Sequence, residues 1–324
     1  MKKLFTLFAM LACVAVASAQ HRLVATLSHN DTVSVYYGKN AFYYAYQASV
    51  DGDIITLSSG VFDATNIHKS ITIRGAGMEQ DTVNNIAPTI IDGSSEYIDN
   101  SPTIESVFWK GDLKIKEDSI LNSAKFIKCR LTSLMSGYID NRYDIDYGGM
   151  YSVEFIQSRV ESLTIGGNNI TIINSYVGSL IDRAISQLSM TNCVVGGDWS
   201  NIDNTIFANC VLKESGYGYS QYLPASNMAY NCISIKDNVF ANLDVNTNNA
   251  RVDAAFKDNG FYELIDSVKT KYLGTDGTEV GIYGGPAPFN PTKTSYPRIE
   301  KFSVSQMNEN GEVKVDVKVS TVEE

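Results

Sequence analysis

Between residues 126 and 234 the chain repeats one short pattern of apolar and polar positions. It reads FIKCRL at 126–131, FIQSRV at 155–160, IINSYV at 172–177, MTNCVV at 190–195, FANCVL at 207–212 and AYNCIS at 229–234. The shared form is apolar, any, polar, small, any, apolar. Asn fills the polar place at 174, 192, 209 and 231, and Cys or Ser fills the small place at 129, 158, 175, 193, 210 and 232. The small residue recurs at intervals of 29, 17, 18, 17 and 22. A period near 20 with a short alternating strand in each unit predicts a solenoid. The leucine consensus of leucine-rich repeats is absent, and helical repeats need about 33 residues per unit. What remains is an all-β solenoid with several short strands in each coil.

Alternation predicts which side chains face inward: Ile170 with Ile172, and Leu188 with Met190. The Asn falls where the strand must bend, because Asn tolerates the left-handed backbone conformation that a bend requires. Asn174, Asn192, Asn209 and Asn231 are expected to stack with their amides bonded coil to coil. The Cys or Ser that follows must be small to face a crowded interior, so the four cysteines after residue 20 (129, 193, 210 and 232) are expected as free interior thiols.

The two ends are also patterned. Residues 1–19 read as a signal peptide: Lys2 and Lys3, a 13-residue apolar run from Leu4, then Ala17-Ser18-Ala19 before Gln20. Thirteen residues are too few to span a membrane. A lead-in follows over 20–40. Asn40 then precedes a predicted short helix over 41–50, with Phe42, Ala45, Tyr46 and Ser49 on one face. Pro286, Pro288, Pro291 and Pro297 mark an extended linker over 286–297. Alternating segments at 301–304 and 312–319, joined by Asn308-Glu309-Asn310-Gly311, predict a C-terminal β-hairpin within 298–324.

The run from Ala41 through DGDIITLSSGVF to KSITIRGAG resembles the opening of right-handed parallel β-helix proteins of the pectin-lyase-like superfamily. Asp276-Gly277-Thr278, followed by Gly281-Ile282-Tyr283-Gly284-Gly285, resembles the segment that closes many such helices in secreted proteins of Bacteroidetes type. The likeness implies a right-handed parallel β-helix over 41–285, capped by the short helix, in an exported protein of the periplasm, outer-membrane surface or exterior. The superfamily holds lyases, hydrolases and adhesins, so the fold leaves the activity open.

Composition narrows the chemistry. Charged residues are 19%, against about 25% in ordinary soluble domains; Asn numbers 26 and Tyr 19. The net charge of -10 excludes a nucleic-acid surface and disfavours anionic polysaccharide. Removal of the leader takes away two Lys and no acid, which makes it -12. The three His (21, 29 and 68) all precede or enter the first coil, so no His base lies in the body of the helix. No metal-spaced Cys/His pair occurs, and no cofactor is expected.

The informative places are the two long intervals. The first holds Tyr138, Asp140, Tyr143, Asp144, Asp146 and Tyr147; the second holds Tyr217, Tyr219 and Tyr222. Insertions in solenoids become loops, often on one binding face. Tyrosine rings stack on sugars and the acids bond hydroxyls. The three Asp form a cluster suited to calcium or to paired-carboxylate hydrolysis. The Asn-x-Asp, Asp-Asp and Gly-His-Gly set of polygalacturonase-like enzymes and the Asp-His strand motif of pectate lyases are both absent. The expectation is therefore a monomeric, non-catalytic, adhesin-like protein that binds neutral polysaccharide or cell-surface glycan. A polysaccharide lyase or glycoside hydrolase and a structural envelope protein are the alternatives.

Overall fold

A computed structural model describes residues 23–136, 139–140, 145–146, 148–185, 187–200, 202–213, 222–260, 262–294, 296, 298–304 and 315–320. Residues 1–22, which hold the expected signal peptide and the start of the lead-in, lie outside them. The repeat folds as a parallel β-solenoid of about 10 turns. Its walls are two 12-stranded sheets, called A and B here. In sheet A, one rung of each coil pairs in register with the next: Phe126 with Phe155, Phe155 with Ile172, Ile172 with Met190, and Met190 with Phe207. The period-two alternation turns these side chains into a dry interior column, and all five are fully buried. Phe126 and Phe155 stack at 5.0 Å between ring centres. Ile170, Ile172, Leu188 and Met190 face inward as expected.

Sheet B carries the second rung of each coil. Leu131, Val160, Val177, Val195 and Leu212 form its inward column. Beyond that column the strands bulge, between Val177 and Ser179 for example. Gly178 and Gly196 allow the bend because the coils meet there backbone to backbone: a Cβ on Gly196 would lie 2.1 Å from the Gly178 carbonyl oxygen.

The corner from sheet A to sheet B is left-handed in every repeat. Asn174, Asn192, Asn209 and Asn231 have φ of 46°, 52°, 55° and 49°. Lys128 and Gln157 make the same turn at 51° and 47°, and Asn248 extends the column at 54°. The repeat therefore continues one coil past the last segment legible in the sequence. The expected amide ladder does not form. Asn174 Oδ1 and Asn192 Oδ1 are buried without a hydrogen-bond partner, while Asn174 Nδ2 donates to the carbonyls of Ile282 (3.0 Å) and Gly284 (2.6 Å).

The residue after the corner does more than stay small. Its side chain closes the corner of the preceding coil. Ser158 Oγ accepts from Cys129 N–H (3.1 Å) and donates to the Phe126 carbonyl (2.9 Å). Cys232 Sγ accepts from Cys210 N–H (3.3 Å). Asn249 does both through its two amide atoms, accepting from Cys232 N–H and donating to the Ala229 carbonyl, each at 2.7 Å. The four cysteines are buried and free.

After the last coil the chain turns back along the outside. Thr275 N–H donates to Asn209 Oδ1 (3.0 Å), Gly285 lies against Asn192, and Gln157 Nε2 donates to the Ala287 carbonyl (3.0 Å). Tyr296 O–H donates to the Gly75 carbonyl, and Arg74 lies over its ring. The segment 274–296 thus runs as a strap along the corner column towards the N-terminus, carrying Pro286 and Pro291 with it. Arg298–Val304 and Val315–Ser320 pair antiparallel as a two-stranded sheet of their own.

At the other end, Val24–His29 and Thr32–Tyr37 form a hairpin that extends sheet A antiparallel to Ile54–Leu57. The helix Ala41–Ala48 covers the first coil with Ala41, Phe42, Ala45 and Tyr46 buried. Asn40 precedes it but makes no side-chain cap bond.

Candidate functional site

Both insertions spring from sheet B. The first leaves after Arg130–Met135 and returns at Gly149–Tyr151. The second leaves after Val211–Leu212; the chain is rooted again at Leu223, which is buried and donates its N–H to Val239 (2.9 Å). Arg130–Met135, Arg159–Asn168, Tyr176–Ile185, Val194–Ser200 and Val211–Leu212 are successive neighbours in one sheet. The strands they leave are therefore four coils apart on the same wall, about 19 Å across the sheet at the ordinary strand spacing, with the second departing at the level of Leu131, four residues short of Met135.

Within the first insertion Ile139–Asp140 and Ile145–Asp146 pair as a short antiparallel ladder, which places Asp140 and Asp146 on a hairpin. Tyr222 is 40% exposed at the return of the second. Tyr138, Tyr143, Asp144, Tyr147, Tyr217 and Tyr219 lie outside the described residues.

A second cluster, not foreseen from the sequence, sits where the returning chain crosses the outer face of sheet B. Arg130 pairs with Glu79 (3.0 Å) and reaches Glu161 (3.5 Å), and Arg159 pairs with Glu161 (2.7 Å). Tyr176 and Tyr262 stack at 4.1 Å. Tyr262 holds φ at 58°, a rare conformation for an aromatic residue. Glu79, Arg159, Tyr176, Tyr262, Ile282 and Phe289 line a small cleft here. Burial raises the Tyr176 phenol, and the adjacent Tyr262 adds to the shift, so this hydroxyl stays protonated at neutral pH. Both guanidinium groups are neutralised by carboxylates. The cluster is built to hold the returning segment against the coils, and among its described residues no acid or base is left uncompensated.

The two described histidines are fixed in the first coils. His29 Nδ1 lies 2.7 Å from Asp53 Oδ1, and His68 Nδ1 lies 2.8 Å from Asp99 Oδ2. No hydroxyl or thiol among the described residues bonds to either ring, so neither pair presents an activated nucleophile. No helix among the described residues is long and apolar enough to cross a membrane. A scan of family models, a search of curated proteins and a search of solved structures each gave no match.

Proposed function

We propose that this chain is an exported β-helix protein of the pectin-lyase-like type that binds a neutral glycan or cell-surface polymer without cleaving it. The observation behind this reading is the common origin of the two tyrosine-rich insertions: one wall, four coils apart. Loops rooted on that wall would offer Tyr138, Tyr143, Tyr147, Tyr217, Tyr219 and Tyr222 as stacking surfaces for several sugar rings. Neutrality of the ligand follows from the acidic chain and from Asp140, Asp144 and Asp146, which repel uronates. That Asp group is where calcium would bind. The fixed histidines and the neutralised Arg/Glu cluster favour binding over catalysis. A glycan array with residues 20–324 tests the reading. Neutral glycans should be retained intact, and replacement of the six tyrosines by alanine should abolish retention. Cleaved products, or retention unchanged in the six-alanine variant, would refute it.

A further inference from the structure

Among the described residues, the N-terminal end of sheet A is finished by a strand with no neighbour on one side. Thr32–Tyr37 is the terminal strand and, among the described residues, pairs only with Val24–His29. It is six residues long and carries no charge, proline or bulge, the devices that normally keep an edge from pairing. Val33, Val35 and Tyr37 are 63%, 46% and 62% exposed. Of the fourteen exposed large apolar side chains among the described residues, seven fall between residues 33 and 61, so this end of the solenoid is its apolar end.

The backbone fixes how the edge can pair. Gly38 N–H donates to the Leu23 carbonyl. Because lateral direction alternates along a strand, residues 32, 34 and 36 bond inward to the hairpin partner, and 33, 35 and 37 point their N–H and C=O outward. Antiparallel pairing of two such edges must match odd residues with odd. The register of greatest overlap centres on Val35 opposite Val35 and sets Val33 opposite Tyr37. The same register brings Asp31 opposite Lys39, at the two ends of the strand. Both are exposed; Lys39 already holds Asp63 (2.5 Å) from the same chain. The strand is thus self-complementary in hydrogen bonding, apolar contact and charge. We infer that the occupant of this edge is a second copy of the chain, joined head to head about a two-fold axis at Val35 so that sheet A continues through both molecules. A dimer of this kind replaces the monomer expected from the sequence.

Sedimentation velocity of residues 20–324 over a dilution series should show a dimer that dissociates on dilution. Val35→Pro removes an N–H that makes no bond among the described residues and should leave a folded monomer at every concentration. As a second measure, Val35→Cys should cross-link into a covalent dimer on mild oxidation, because hydrogen-bonded antiparallel partners place Cα atoms about 5.5 Å apart, within disulfide range. Val50→Cys, also exposed but off the strand, should not. A wild type monomeric throughout, a dimer that survives Val35→Pro, or Val35→Cys linking no faster than Val50→Cys would overturn the inference.

Discussion

Asn174 donates through Nδ2 to the carbonyl of Gly284 at 2.6 Å, across 110 residues of chain. The corner residue of a middle coil is therefore a fastening point for the strap that closes the protein. Asn209 plays the same part for Thr275, and Asn231, one coil further on, is not held by the strap. Replacing Asn174 with Gly keeps the left-handed corner free of steric cost while removing the amide. The expected loss is ~1–3 kcal/mol, from the Gly284 carbonyl left without a donor, since the Ile282 carbonyl keeps the Phe289 N–H. Asn231→Gly should change stability by less than about 0.5 kcal/mol. Urea midpoints of the two variants check this, and equal midpoints would deny the strap its role.

The small-residue column makes a different forecast. Burial pushes the Cys129 thiol up to about 12 and raises Cys210 and Cys232 as well. Native protein should not react with a thiol reagent at neutral pH, whereas denatured residues 20–324 should release four thiols. Cys210→Ser should be tolerated, because Ser158 and Ser175 already make the same backbone bonds in their coils. Cys210→Ala should cost ~1–3 kcal/mol by orphaning the Cys193–Cys210 corner. Equal stability of the Ser and Ala variants would reduce the column to packing alone.

The first coil should be the acid-sensitive part. Burial raises the Asp53 carboxyl, but the Val50 N–H (2.8 Å) and His29 outweigh it and hold the group below its ordinary value. A folded value below the unfolded one contributes stability above the unfolded carboxylate pKa of about 3.9. That contribution is lost as pH falls through the folded value. Asp53→Asn should lower Tm at neutral pH and flatten the acid limb of a Tm-against-pH curve. An unchanged limb would remove Asp53 from the account.

The repeat was legible because its period, its alternation and its Asn corners are local. The hairpin Val24–Tyr37 was not, because the apolar positions of its second strand, Val33 and Val35, are exposed, so its alternation does not mark a core-facing side. The strap was half legible. Its closing segment was recognisable, yet its destination depends on contacts across more than 100 residues. One further signal lies in the sequence. The outward place after the small residue runs Arg130, Arg159, Tyr176, Val194, Val211, Ile233. Valine and isoleucine on an outer face need a cover, and Val280, Ile282 and Phe289 belong to the apolar cluster that supplies it. The expected amide ladder failed for the same reason: an Asn at a covered corner bonds to its cover.

The proposed function requires the two insertions to act together on one ligand. Calorimetric titration with a neutral oligosaccharide from the array, long enough to span about 19 Å, tests it most directly. The titration compares the wild type with two variants, in which residues 137–147 or 214–221 are replaced by a short glycine-serine turn. If the account is right, each replacement alone weakens binding at least tenfold, about 1.4 kcal/mol, while a fragment too short to bridge the loops loses affinity in only one variant. Binding of the long ligand unchanged by either replacement would contradict it.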